Sequence, residues 1–160
     1  MSKLKDHIHE EHAALRPHVE AIRTAADAVG EVPNHVLREM TESVIGFLLG
    51  ELLPHARTED AILYRAVEEA HHAPGATRTM KRDHTEVRRL VDELTTLNAE
   101  IVEGHPVAAR TIRDLRRILY GLHALVTLHF AKEDDVLAAI LEAKLPPGEQ
   151  DQLLADLSRH

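Results

Sequence analysis

His129-Phe130-Ala131-Lys132-Glu133-Asp134-Asp135-Val136-Leu137 has a counterpart earlier in the chain, at His55-Ala56-Arg57-Thr58-Glu59-Asp60-Ala61-Ile62-Leu63. Each stretch sets a glutamate four residues after a histidine, a spacing that places the two side chains one turn apart on the same face of a helix. The apolar residues keep the same period. Val44, Leu48, Leu52, Ile62 and Ala66 share a face with His55 and Glu59, and Ile118, Leu122, Val126, Val136 and Ile140 share one with His129 and Glu133. No strand-like alternation of any length occurs, and the chain is read as all-α.

Proline and glycine divide the rest. A first helix is predicted over residues 3–29, ending at Gly30 and the Val32-Pro33-Asn34 turn, and a second over 34–71, stopped by Pro74-Gly75. A third covers 76–103 and is closed by Gly104. His105-Pro106 opens a fourth, which runs to 144, where Pro146-Pro147-Gly148 ends it, and 149–159 makes a short fifth. Breaks this short make consecutive helices antiparallel neighbours, which predicts an up-down-up-down four-helix bundle with a short C-terminal helix. The whole chain, 1–160, reads as one domain with its core bundle over about residues 4–144. Pro17 and Pro54 lie inside helical runs and predict local kinks.

Composition excludes several classes of function. The absence of cysteine removes disulfides, thiolate metal sites and thiol nucleophiles. A net charge of −8, with no basic block, disfavours a nucleic-acid partner. Aromatic residues at 2% and the absence of tryptophan leave no stacking platform. The N-terminal residues run straight into charged sequence, and no long apolar run follows. Neither a secretory signal nor a membrane span is expected, and the expected location is cytoplasmic.

Histidine is the anomaly, at 13 of 160 residues. His12 lies among Ile8, Leu15, Val19 and Ala26 on the first helix, and His84 among Met80, Val87, Val91 and Leu94 on the third. The His-x-x-x-Glu spacing alone is weak, because this composition supplies about one or two such pairs by chance. Of the four present, His7/Glu11 and His35/Glu39 fall off the apolar faces. The register is stronger evidence. His12 precedes His55 by 43 residues and His84 precedes His129 by 45, and Glu11-His12-Ala13-Ala14-Leu15 matches Asp83-His84-Thr85-Glu86-Val87. Two helix pairs related by a pseudo-twofold bring four imidazoles and two carboxylates together. A lone histidine on an apolar face is usually a hydrogen-bonded core residue. Two glutamates buried with four histidines cost several kcal/mol each unless paired or coordinated, which points to a metal. An all-nitrogen-and-oxygen set suits iron, and manganese less well, rather than structural zinc. A ferritin-like centre needs Glu-x-x-His on two helices. Here that spacing occurs only near Glu68, Glu69, His71 and His72.

The ordered pattern His12, His55-x-x-x-Glu59, His84, His129-x-x-x-Glu133 resembles the hemerythrin-like, or HHE cation-binding, domain over about residues 4–141. It resembles the short single-domain bacterial type with four histidine and two glutamate ligands. The resemblance implies two irons per chain, one held by His12 and His55 and the other by His84 and His129. Glu59 and Glu133 would bridge them together with an oxo or hydroxo group. Oxygen-carrying members place a further histidine one turn along the third helix and close the last pair with an aspartate at longer spacing. Here the residues one turn either side of His84 are Met80 and Arg88. Five ligands then fall to each iron and both keep an open position. The function expected from this set is reaction with hydrogen peroxide or dioxygen, with catalase-like peroxide decomposition, rather than bulk oxygen carriage. The alternative is a non-enzymatic sensor or binder of oxygen, nitric oxide or iron. Either way the expected partner is a small diatomic or peroxide ligand.

Several residues sit near this set without a decided role. Arg16 and Arg88 occupy matching positions and read either as cationic donors to a bound peroxide or as partners of Glu20 and Asp92, one turn on. Tyr64, five residues beyond Glu59, reads as a packing residue or as a hydrogen-bond donor behind a ligand. Glu11, Asp60, Asp83 and Asp134 either orient the histidines or face water, and His18 and His123 lie off the metal stripe.

Overall fold

The computed structural model describes residues 3–159 and contains no strand among them. Helix α1 is Lys3–Ala28. Helix α2 occupies residues 34–71, α3 is Arg78–Asn98, α4 occupies residues 109–144, and α5 is Pro147–Leu157. α1 packs on α2 and α4, and α3 packs on α4 and α2, as the short connections require of an up-down-up-down bundle. α5 lies across α1 and the middle of α2. Among the described residues no helix is long and apolar enough to cross a membrane.

The boundaries move where local chemistry outweighs the apolar period. α3 stops at Asn98, short of the predicted Gly104, and α4 begins at Ala109, past His105-Pro106. The Asn34 side chain donates to the carbonyls of Val102 (2.8 Å) and His105 (2.6 Å), so the connection is pinned to the start of α2 instead of continuing as helix. A proline also biases the residue before it away from helical geometry, which weighs against a start at His105. α5 begins two residues earlier than expected, with Pro147 in its first turn, where the missing N–H costs nothing.

Neither internal proline ends its helix. α1 runs through Pro17 unbroken. Before Pro54, α2 widens into a π turn at Leu48–Leu52, with the Leu53 N–H bonded to the Leu48 carbonyl. The extra residue in that turn gives the proline ring the room that regular α-helix denies it.

Two further π turns, Glu59–Leu63 and Glu133–Leu137, begin on the two glutamates of the repeated motif. Each inserts one residue, so the apolar stripe beyond it shifts by one position. Val136, predicted to face the core, is 51% exposed, and Leu137 and Ala138 are buried in its place. On α2 the shift leaves Ile62 and Ala66 only partly buried and puts Leu63, Tyr64 and Val67 in the core.

The core is divided into two apolar clusters. The larger includes Val19, Ile22, Leu48, Leu52, Val87, Leu94, Leu119, Val126 and Phe130. The smaller gathers Leu4, Ile8, Leu63, Val67, Met80, Leu137 and Leu141 with Leu153 and Leu157 of α5. Leu119 is fully buried in the larger cluster. Replacing it with alanine is expected to cost about 2–5 kcal/mol. A lower urea midpoint at unchanged slope, with metal binding retained, is the expected reading.

Candidate metal centre

Between the two clusters lies a single polar layer. Each of the four long helices crosses it once. α1 brings His12, α2 brings His55 and Glu59, α3 brings His84, and α4 brings His129 and Glu133. Glu59 and Glu133 are only 3% and 0% exposed. All six candidate ligands predicted from the sequence therefore meet in one place.

The carboxylates stand between two histidine pairs. One Glu59 oxygen lies 2.9 Å from His55 Nε2 and 3.6 Å from His12 Nε2, and the other lies 3.3 Å from His84 Nε2. One Glu133 oxygen lies 3.3 Å from His12 Nε2, and the other lies 3.5 Å from His129 Nε2. Glu59 thus turns one oxygen toward His12 and His55 and the other toward His84, and Glu133 turns one toward His12 and the other toward His129, the disposition a bridging carboxylate needs. Glu59, His84, His129 and Glu133 could hold one metal ion, and His12, His55 and Glu59 another.

A second ring of carboxylates holds the imidazoles from behind. His12 Nδ1–H donates to Asp134 (2.8 Å), His84 Nδ1–H to Asp60 (3.0 Å) and His129 Nδ1–H to Asp83 (3.0 Å). These bonds keep the proton on Nδ1 and leave the Nε2 lone pair facing the centre. The pseudo-twofold extends to this ring, since Asp60 and Asp134 follow Glu59 and Glu133 respectively and each serves the histidine of the opposite helix pair. Lys132 also donates to Asp83.

Arg16 joins this ring at one point only. It donates to Asp134 (2.7 Å) and not to Glu20, which is taken by His123 and Arg23. Its half-exposed side chain is committed to the carboxylate behind His12. Arg88 is exposed on α3. His18 stacks on Phe47, away from the centre.

Tyr64 is the residue whose place the sequence pattern obscured. In a regular α-helix a residue five beyond Glu59 is turned about 140° from it. The π turn at Glu59–Leu63 brings the fifth residue back to the same face, with the Tyr64 N–H bonded to the Glu59 carbonyl. The phenol is fully buried and donates to Glu133 Oε1. An unusual histidine-glutamate motif followed by a tyrosine was the available signal, but the 3.6-residue period pointed that side chain elsewhere.

The donor set fits a cation on its own evidence. Five buried side-chain nitrogen or oxygen atoms have no hydrogen-bond partner among the described residues, and four of them belong to this layer: His12 Nε2, His55 Nε2, Glu59 Oε2 and Glu133 Oε2. Buried polar groups in native proteins are nearly always satisfied, so four orphans facing one another mark a shared missing partner. His84 Nε2 and His129 Nε2 are 2.8 Å apart, with both Nδ1 protons directed outward, so two lone pairs face each other unless a cation or proton separates them.

The electrostatics agree. Burial alone would lower the pKa of His12, but the Glu133 and Glu59 carboxylates, 3.3 and 3.6 Å from its Nε2, push it up to about 10. His55 and His129 are raised in the same way, against the effect of burial, chiefly by Glu59 and Glu133 respectively. Burial pushes the Glu59 carboxyl upward, and His12, His55 and His84 more than reverse it. The cluster collects positive charge, which a metal ion supplies in place of protons.

The family description Hemerythrin HHE cation binding domain matches residues 4–141, and matches again over residues 77–159. The second match begins just before α3, at the start of the second helix pair, which accords with the duplicated register. No curated protein and no solved structure matches the chain.

Removing the carboxylate behind a ligand is expected to loosen the centre without dismantling it. Asp134→Ala is expected to lower metal affinity by about 10–100-fold, measured by competition with a chelator. Glu69→Ala, on the exposed face of α2, should leave it unchanged. Loading the metal-free protein should raise its melting temperature, because the ion binds only the assembled cluster.

Proposed function

Because this chain belongs to the hemerythrin HHE cation-binding domain family, we propose that it is a non-haem di-iron protein that reacts with hydrogen peroxide or dioxygen, with catalase-like decomposition of peroxide as its activity. His12 and His55 would hold one iron and His84 and His129 the other. Glu59 and Glu133 would span both, with an oxo or hydroxo group completing the bridge. The metal reading is carried by the four orphaned donor atoms that converge in the polar layer.

Bound there, two iron ions supply the reversible one-electron changes that let one peroxide be reduced to water while another is oxidised to dioxygen. The protein's own part is to hold, tune and shield. Three of the four histidines are backed by a carboxylate on Nδ1, which raises their basicity as ligands and favours the higher metal oxidation state. Reversible oxygen carriage needs a long-lived ferrous state, so this ring supports redox turnover instead. The two apolar clusters flank the layer on either side along the bundle.

Access is uneven. The His55 side chain is 15% exposed, whereas those of His12, His84 and His129 are 5% or less. A ligand as small as peroxide reaches the layer most directly past His55.

Iron-loaded protein is expected to evolve oxygen from hydrogen peroxide, one O2 for every two peroxides consumed. Glu133→Ala and His84→Ala should fall to the background of free iron, with iron content measured on the same samples. A stable, reversible charge-transfer band with oxygen and negligible peroxide turnover would instead assign a non-enzymatic binder or sensor. Fewer than two irons per chain after iron-replete expression would sink the di-iron reading itself.

A further inference from the structure

The outer ring of carboxylates has a gap, and the duplicated register points to the residue that belongs there. Aligning His12 with His84 and His55 with His129 pairs Asp60 with Asp134 and Glu11 with Asp83. The His12–Asp134 bond then has its image in His84–Asp60, and both are present. The His129–Asp83 bond has its image in His55–Glu11. Among the described hydrogen bonds that one is not made, and His55 is the histidine left without a carboxylate on Nδ1.

Glu11 is nonetheless at hand. It precedes His12, whose ring centre stands 5.5 Å from that of His55, and its charge already raises the His55 pKa. In the aligned halves Lys132, which donates to Asp83, is replaced by Thr58, whose hydroxyl turns back to the Pro54 carbonyl (3.4 Å). What faces Glu11 instead is His7, one turn earlier on α1, with its Nε2 3.5 Å from Glu11 Oε1. Ordinary N–H···O bonds reach about 3.2 Å, so this contact stops just short of one. The His7 nitrogen is the fifth of the buried atoms without a hydrogen-bond partner among the described residues, and it lies outside the polar layer.

Metal binding supplies the missing donor. A neutral imidazole that ligates through Nε2 carries its proton on Nδ1, and the bound ion polarises that N–H toward a charged acceptor. We propose that Glu11 is the fourth outer carboxylate, which in the loaded protein accepts the Nδ1–H of His55 with one oxygen and the Nε2–H of His7 with the other. Glu11 and His7 are thus positioning residues for the most exposed of the four histidines. This rests on the di-iron reading above. The methylene that Glu11 has beyond Asp83 gives it the reach to serve both partners from the half-exposed side of α1. Because His55 marks the entry for peroxide, the side chain that sets its ring also lines the way in.

Protein loaded with two iron(II) per chain is expected to show four hyperfine-shifted, solvent-exchangeable N–H resonances in its proton NMR spectrum, one from each ligand histidine. In Glu11→Ala one of the four should be lost to exchange with water. The iron held by His12 and His55 should then bind about 10–100-fold more weakly in competition with a chelator. Glu11→Gln, which keeps an acceptor oxygen, should retain the resonance at a changed shift, and His7→Ala should speed the exchange of that resonance alone. Glu10→Ala, on the exposed face beside it, should alter none of them. Alanine favours helix, so Glu11→Ala should keep its fold; if it does not, Glu11→Gln reads the same resonance through its shift. Four resonances unchanged in Glu11→Ala and Glu11→Gln, or only three protected in the parent protein, would overturn the role of Glu11. Failure of the parent protein to bind two irons would instead bring down the di-iron reading, and this inference with it.

Discussion

Two carboxylates, Glu59 and Glu133, are buried at the level where four helices meet, and the rest of the structure is arranged around that burden. An unpaired carboxylate in such a place costs several kcal/mol. Four imidazoles converge on the pair, one from each helix, and three of the four are themselves held by aspartates at the rim of the bundle. The polar layer also divides the apolar core in two, so neither cluster alone spans the bundle. α5 contributes Leu153 and Leu157 to the smaller cluster and so covers the layer on one side.

The π turns connect this electrostatic demand to the backbone. Two of them begin on Glu59 and Glu133, and each rotates the residues beyond it by inserting one extra position. Without that rotation Ile62 and Ala66, which pack only partly buried against the smaller cluster, would take its core positions, and Tyr64 would point away from the polar layer. With it, Leu63 and Val67 pack in the core and the phenol enters the layer. A local departure from α-helix thus does two things at once, since it seats the apolar stripe below the centre and supplies a further oxygen at the centre. The duplicated turn on α4 does the same for Leu137, but Ala138 brings no donor, and the two halves of a symmetric frame become chemically distinct.

Much of the site could be read directly. His12, His55, Glu59, His84, His129 and Glu133 are legible because a helical period and a register repeated between the two halves both select them, and chance supplies neither. The outer carboxylates were legible as candidates only. Whether Asp134 faces water or His12 depends on how α4 is rotated against α1, and no local pattern states that. Arg16 shows the same limit. Its neighbour four residues on is Glu20, but the partner it reaches is Asp134, 118 residues away in the chain.

What the sequence alone determined is the helical class, the bundle order and the six convergent candidate ligands, because these follow from periodicity and spacing, which are properties of consecutive residues. What only the tertiary structure decided is the rotation of each helix beyond its glutamate, the pairing of the aspartates with the histidines, and the entry of Tyr64 beside one histidine pair. The reason is physical. A π turn exchanges one hydrogen-bond register for another at small local cost, and what tips that balance is the packing and charge of the neighbouring helices.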